Sequence, residues 1–113
     1  MKLPQAEVAV VAPAKVHSYL LSPDHPVGGD KAAFFAGLGY APAAWRVLLE
    51  DLERQAREGT VVRISESPFG RKYRVRDNLI GPNGRSAILI TVWIRAHADA
   101  APRFLTAFPR SKP

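Results

Sequence analysis

The stretch RSAILITVWIR, residues 85–95, decides the fold because its side chains alternate between two faces. A period of two predicts a β-strand. One face carries four aliphatic side chains, Ile88, Ile90, Val92 and Ile94, and the other carries Arg85, Leu89, Thr91, Trp93 and Arg95. Four aliphatic side chains in a row need burial, each worth about 1.5–3 kcal/mol. We therefore expect helices to cover the isoleucine face and to leave the Trp93 face open.

Three further segments predict the rest of a sheet. RKYRVRDNLI, residues 71–80, alternates apolar and basic side chains, and GPNG at 81–84 is a strong tight-turn signal. These two features predict an antiparallel hairpin of residues 71–80 with residues 85–95. TVVRISE at 60–66 and RFLTAFP at 103–109 predict the first and last strands. The pattern therefore indicates four antiparallel strands.

The first half of the chain predicts three helices instead. Residues 12–21 and the segment after Pro42 place apolar side chains at helical spacing, and Asp30 is a plausible N-cap for KAAFFAGL at 31–38. Residues 22–29 carry two prolines and two glycines, which predicts an irregular segment. Helices followed by a meander predict a single α+β domain over residues 1–113, with N-terminal helices packed on one face of a four-stranded antiparallel sheet.

The basic charge of the chain lies in its second half. Residues 1–59 contain six Lys or Arg and seven Asp or Glu, whereas residues 60–113 contain ten Lys or Arg and three Asp or Glu. The net charge is thus −1 in the first part and +7 in the second. A field of this sign predicts an anionic partner, either RNA or an acidic protein.

Several classes of protein do not fit the composition. The chain contains no cysteine, so disulfides, thiolate nucleophiles and cysteine zinc sites are excluded. The histidines at 17, 25 and 97 lack metal-ligand spacing, and no dinucleotide or phosphate-loop motif occurs. No apolar run approaches the roughly 20 residues of a membrane helix. We expect a cytoplasmic protein without cofactor, metal or membrane contact.

The open face of the predicted sheet is the natural ligand surface. It combines basic side chains with Thr91 and Trp93, and Arg103 or Thr106 joins it if the register of the last strand allows. Arginines, hydroxyls and aromatic rings together are typical of surfaces that bind phosphates and stacked bases. An ordinary solvated strand face has the same pattern.

Sequence motifs along nearly the whole chain resemble a known family. HPVGGDKAAFFAGLGY at 25–40, the segments GRKYRV, LIGPNGR and TVWI, and PRFLTAFP at 102–109 are similar to a small bacterial domain family of uncharacterised function that is often encoded beside a short partner protein. The layout also resembles the barnase–EndoU–colicin–RelE superfamily of toxin ribonucleases. The chain departs from that superfamily in lacking the paired histidines of EndoU-type sites. Its final aromatic residue is Phe108 instead of the usual tyrosine.

Metal-independent RNA cleavage defines the candidate site residues. It requires removal of the 2′-hydroxyl proton, stabilisation of the phosphorane charge and protonation of the leaving oxygen. His25 suits the proton transfers and Lys31 suits a phosphate near a helix N-terminus. The predicted catalytic residues are His25, Lys31, Arg85 and Thr106, and the predicted substrate-binding residues are Thr91, Trp93, Arg74 and Arg103.

The function predicted from these residues is that of a toxin-like ribonuclease, acting without a metal and controlled by a small antitoxin or immunity partner. Two alternatives stay open. A nucleic-acid-binding module without catalysis would keep a salt-dependent affinity for RNA and lose only turnover. A protein–protein module would bind an acidic partner tightly and RNA only weakly.

Overall fold

The computed structural model describes residues 1–25 and 29–110. A 3₁₀ turn at Ala6–Val8 precedes helix α1, which is α-helical over Pro13–Lys15 and continues as a π-helical segment over Val16–Leu20. Helix α2 spans Gly29–Gly37, and helix α3 spans Trp45–Glu58 after a 3₁₀ turn at Pro42–Ala44. The strands are β1 (Thr60–Ser67), β2 (Gly70–Ile80), β3 (Ser86–Arg95) and β4 (Arg103–Pro109).

The four strands form one antiparallel sheet in the order β1-β2-β3-β4. The predicted hairpin is present, with Ile80 opposite Ser86 across the loop 81–85. Register irregularities occur between Val61 and Arg63 in β1, and opposite the Val92–Trp93 step in β4. The prediction of an α+β fold with N-terminal helices on a four-stranded antiparallel sheet is confirmed.

The predicted choice of faces is wrong. Leu89, Thr91 and Trp93 are fully buried against the helices, whereas Ile88 on the opposite face is 39% exposed. Cross-strand neighbours share a face, and the hairpin register pairs Trp93 with Tyr73. The apolar side chains of β2 and the Trp93 face of β3 therefore form one surface, which the helices cover.

The face away from the helices, called the open face below, carries the isoleucines and the basic side chains of β2. Lys72 pairs with Ile94, Arg74 with Val92 and Arg76 with Ile90. Ile90 and Val92 are nevertheless only 8% exposed. Long basic side chains can cover apolar neighbours with their methylene groups while their charged ends stay in water, which accounts for this burial without a layer of helices.

The helices follow the predicted order with local differences. The Leu21 amide donates to the Val16 carbonyl at 2.9 Å, which closes a wider turn than an α-helix has. Helix α2 begins at Gly29, so Asp30 lies in its first turn and does not cap it. The irregular segment predicted at 22–29 falls partly outside the described residues, because 26–28 are not described.

The core lies between the helices and the covered face of the sheet. Helix α3 contributes Leu48, Leu52 and Ala56, and Phe35 of α2 packs in the same core. The Tyr40 hydroxyl donates to Asp51 Oδ2 at 2.6 Å and connects the end of α2 to α3. Of the helices in the described residues, no single one is long and apolar enough to cross a membrane, although α2 and α3 together, bent by 78°, reach that length and composition.

Candidate anion-binding site

Three elements that are distant in sequence meet at the hydroxyl of Thr106. The Lys31 ammonium of α2 donates to Thr106 Oγ1 at 2.7 Å, and the Tyr19 hydroxyl of α1 lies 2.9 Å from the same oxygen. Thr106 sits on β4, the edge strand, and pairs with Val92, so its side chain belongs to the open face. The helices thus bring a lysine and a phenol to the edge of the basic face.

Aromatic rings complete this group. The Tyr19 ring packs edge to face with His25 at a centroid distance of 5.0 Å. The Lys31 ammonium lies 5.3 Å from the Tyr19 centroid and 5.9 Å from the Phe108 centroid. We call Tyr19, His25, Lys31, Thr106 and Phe108 the Thr106 cluster.

Two further cations flank the Thr106 cluster. The Lys15 ammonium lies 5.5 Å from the Tyr19 centroid, and the Arg74 guanidinium lies 5.6 Å from the Phe108 centroid. These distances allow cation–π attraction, which holds each charge over a ring without neutralising it. The cluster therefore brings together positive charges from α1, α2 and β2.

Local structure explains these positions. Tyr19 lies in the π-helical segment of α1, and its side chain is half-buried while its neighbours Val16 and Leu20 enter the core. Lys31 lies in the first turn of α2, and the ammonium reaches β4. A π-turn changes the direction of side chains relative to an α-helix and is frequent at functional sites.

The cations of the cluster have no carboxylate to neutralise them among residues 1–25 and 29–110. The salt bridges there join Arg54 to Asp51 and Arg71 to Glu66, away from Lys15, Lys31 and Arg74. A lysine ammonium has three donor hydrogens, and Lys31 uses one on Thr106. The remaining donors can bind the oxygens of an anion.

The pKa of Tyr19 reflects the same surroundings. Burial raises this pKa, but the hydrogen bond to Thr106 and the positive charges of Lys31 and Lys15 lower it by more. The net effect is a pKa below the ordinary value of 10.0. The phenol therefore gives up its proton more readily than a tyrosine in water.

Four of the residues predicted from the sequence come together here. Lys31 and Thr106 are hydrogen-bonded, and His25 packs on Tyr19. Arg74 and Thr106 both pair with Val92, from opposite sides of β3. Arg103 is exposed on the same face but pairs with Ile94, two β3 residues further along. That step is about 7 Å at roughly 3.4 Å per residue.

The roles predicted for Thr91 and Trp93 are wrong. Both side chains are fully buried on the covered face, so neither can contact a ligand on the surface. The Trp93 indole N–H donates to Thr91 Oγ1 at 2.8 Å, and the Thr91 hydroxyl donates to the Val75 carbonyl at 3.4 Å, so the polar groups of both side chains have partners inside the core.

The structure does not bring Arg85 to the cluster. It is exposed in the loop 81–85, where its amide donates to Asn83 Oδ1 at 2.9 Å. Val92, the partner of Thr106, stands seven positions after Arg85 in the sequence. This spacing corresponds to roughly 23 Å along a strand, so Arg85 lies apart from the other residues predicted to be catalytic.

Tyr19 is the member of the site that sequence reasoning missed. Its spacing from Val16 and Leu20 fits the apolar face of a helix, and nothing in that pattern marks it as a site residue. Two signals were present: Lys15 stands one helical turn before it, and the final aromatic position, Phe108, has no hydroxyl.

In the described part of the chain, no three His, Cys, Asp or Glu side chains are grouped so that they could hold a metal ion. The groups that converge on Thr106 are the Lys31 ammonium and the Tyr19 hydroxyl, and both can donate hydrogen bonds to an anion.

Comparison with known proteins shows the family of this chain and a similar solved structure. The family model described as "Domain of unknown function (DUF6883)" matches residues 2–111. A chain of the "Contact-dependent growth inhibition toxin - immunity protein complex from Klebsiella pneumoniae 342" superposes with a TM-score of 0.74 and 19% identity, covering 96% of this chain and 98% of that one. No curated protein matches this chain. At this identity the structural likeness establishes a shared fold.

Proposed function

This chain belongs to the DUF6883 family of domains of unknown function, and we propose that it is a toxin-like ribonuclease that cleaves RNA without a metal. The observation that carries the proposal is the convergence of Lys31 and Tyr19 on Thr106, at the edge of a basic sheet face. The similarity in fold to a chain of a toxin–immunity complex, and in layout to the barnase–EndoU–colicin–RelE superfamily, supports the same class of function.

In this proposal the scissile phosphate binds between Lys31 and Arg74. The two cations contact its non-bridging oxygens, and the Thr106 hydroxyl holds Lys31 in position. Fixed donors aimed at developing negative charge stabilise the transition state because they need no rearrangement during the reaction. The uncompensated charge of Lys15 strengthens the field at the same point.

His25 and Tyr19 share the two proton transfers. The imidazole removes the 2′-hydroxyl proton, the 2′-oxygen attacks phosphorus, and the bond from phosphorus to the 5′-oxygen breaks. Tyr19 gives its proton to the departing 5′-oxygen, and the resulting phenolate is stabilised by Lys31 and Lys15. The products are a 2′,3′-cyclic phosphate and a 5′-hydroxyl, and the proton on His25 then returns the phenolate to its neutral form through solvent.

Incubation of the purified protein with total RNA in the presence of a chelator tests this function. We expect cleavage with cyclic phosphate ends, reduced about 10²–10⁴-fold in Tyr19→Phe and His25→Ala, and about 10²–10³-fold in Lys31→Ala. Arg85→Ala, which removes a cation outside the cluster, should cleave at the wild-type rate. Intact RNA after incubation with the folded wild-type protein, with and without ribosomes, would contradict the proposal.

Two threonines provide a matched comparison. Thr106→Val removes the hydroxyl of the cluster and should abolish most cleavage with little change in stability. Thr91→Val leaves the Trp93 N–H without its buried acceptor and should lower the free energy of unfolding by about 1–3 kcal/mol. Below its melting temperature the Thr91 variant should still cleave RNA. The reverse pattern would indicate that Thr106 is only structural.

A protein partner belongs to the same proposal. The open face carries Arg63, Lys72, Arg74, Arg76 and Arg103, and an acidic immunity protein that covered it would block access to RNA. We place the activity in the cytoplasm, where RNA is present. Expression of the chain alone should slow growth, and co-expression of the product of the adjacent reading frame should restore growth.

A further inference from the structure

Beside the Thr106 cluster, the open face contains a cavity of about 340 Å³ that has no role in the reaction described above. Phe69 forms one wall, and Lys72 and Arg103 contribute two cations. Ile94 and Leu105 are apolar residues that also line it. The site therefore combines an aromatic surface, apolar contacts and two positive charges, which is the set of groups that binds a nucleotide.

Phe69 is exposed to an extent that packing does not explain. The residue is 80% exposed, the highest value among the exposed large hydrophobic residues of the described chain. It lies in the turn between β1 and β2, where the Phe69 amide donates to Ser67 Oγ at 3.2 Å and the Ser67 hydroxyl donates to the Gly70 carbonyl at 2.8 Å. These bonds order the backbone of the turn, so a ligand that stacks on the ring loses less conformational entropy on binding.

The two cations have free capacity for an anion. Neither Lys72 nor Arg103 has a salt bridge to a carboxylate within the described residues. Lys72 and Arg103 both pair with Ile94, whereas Arg74 and Thr106 both pair with Val92. The two rows are about 7 Å apart along the strands, a distance that one nucleotide of an extended single strand can span.

We propose that Phe69, Lys72 and Arg103 form a subsite for the nucleotide next to the scissile phosphate, with the base stacked on Phe69 and its phosphate bound by the two cations. The subsite rests on the proposed ribonuclease function for its place in the reaction, but its affinity for RNA does not depend on cleavage. It would favour single-stranded RNA, because a base in a duplex cannot stack on a protein ring.

The test is fluorescence anisotropy with a labelled single-stranded ribo-oligonucleotide, in the cleavage-deficient Thr106→Val background. We expect Phe69→Leu to weaken binding about 5- to 150-fold, because base stacking on an aromatic ring contributes about 1–3 kcal/mol. Phe69→Trp, which keeps an aromatic face, should retain the affinity. Ile80→Ala removes another exposed apolar side chain at the loop end of β2 and should bind as before.

Oligonucleotides with an abasic residue at successive positions identify the base concerned. An abasic residue at one position should weaken the affinity of the oligonucleotide for the protein that keeps Phe69. With that oligonucleotide, Phe69→Leu should cause no further loss of affinity. If Phe69→Leu binds the oligonucleotide with the same affinity as the Thr106→Val background protein that keeps Phe69, the proposal is overturned. An effect of Phe69→Leu that is confined to the complex with the immunity protein would overturn it as well. If Phe69→Leu cleaves RNA at the wild-type rate and binds it with unchanged affinity, the subsite proposal fails and the ribonuclease proposal stands. If RNA binding depends on Phe69 but the wild-type chain cleaves no RNA, the ribonuclease proposal fails and the subsite stands as a binding site.

Discussion

The phenol of Tyr19 lies between the ammonium groups of Lys15 and Lys31 and is hydrogen-bonded to Thr106. Because positive charge favours the phenolate, the pKa of Tyr19 lies below 10.0. Alkaline titration followed by phenolate absorbance, as the difference between wild type and Tyr19→Phe, should therefore show a midpoint below pH 10.0. Lys31→Met should move that midpoint to higher pH, since one of the two charges is gone.

The same shift predicts a sign for stability. A phenol whose pKa is lower in the folded than in the unfolded chain stabilises the fold at pH values above the unfolded pKa, and this contribution disappears as the pH falls through the folded pKa. Relative to Tyr19→Phe, the wild-type protein should gain stability as the pH rises toward 10. A midpoint at or above 10.0 that Lys31→Met does not move would show that the lysine charge does not act on Tyr19.

Single side chains were also where sequence reasoning was weakest. Helical spacing placed Val16, Tyr19 and Leu20 on one face of a helix, but it could not show that the hydroxyl of Tyr19 reaches a strand 87 residues later in the chain. Lys31 and Thr106 were chosen for their chemistry, and their contact depends on how α2 crosses the edge strand. No local pattern contains that information.

Helices and strands were predictable because periodicity and turn residues act locally. The hairpin of β2 and β3 follows from GPNG at 81–84, and the helix-to-strand change falls at Gly59 and Thr60. The face of the sheet was not predictable from β3 alone, since both of its faces are largely apolar. The register with β2 decides it, because Tyr73 and Val75 must share a face with Trp93 and Thr91.

The turn between β1 and β2 depends on Gly70. Its φ of +135° is rare for residues with a side chain, and a Cβ there would lie 2.2 Å from the Arg95 carbonyl oxygen. Gly70→Ala should therefore lower the free energy of unfolding by about 2 kcal/mol or more, because backbone strain adds to a clash with a paired strand. Urea unfolding measures this loss.

Gly84 provides the control. It also has a positive φ, +85°, but a Cβ there meets no atom within 4 Å. Gly84→Ala should therefore show only the backbone strain, about 1 kcal/mol. Equal losses of unfolding free energy at the two positions would mean that the close contact between Gly70 and Arg95 does not restrict the turn. The turn would then not fix the position of Phe69.

The uneven charge of the chain becomes an uneven charge of its surface. Among the paired strand residues, those on the open face include Arg63, Lys72, Arg74, Arg76 and Arg103, and none is acidic. Glu66 pairs with Arg71 on the covered side of the sheet, and the exposed face of α3 mixes acidic and basic residues. The composition predicted a polyanion partner, and the fold concentrates the charge on the face that the Thr106 cluster adjoins.

A matched pair of triple variants tests whether this concentration matters. Arg63→Gln, Arg74→Gln and Arg76→Gln together remove three charges from the open face, and Arg46→Gln, Arg54→Gln and Arg57→Gln remove three from the exposed face of α3. Each phosphate contact contributes a slope of about −0.7 to the dependence of log affinity on log salt for single strands. With single-stranded RNA in the Thr106→Val background, the open-face variant should therefore reduce the magnitude of the slope by about 2, whereas the α3 variant should leave it nearly unchanged. Since both variants lose the same net charge, identical slopes would mean that RNA responds only to total charge and does not bind at the open face.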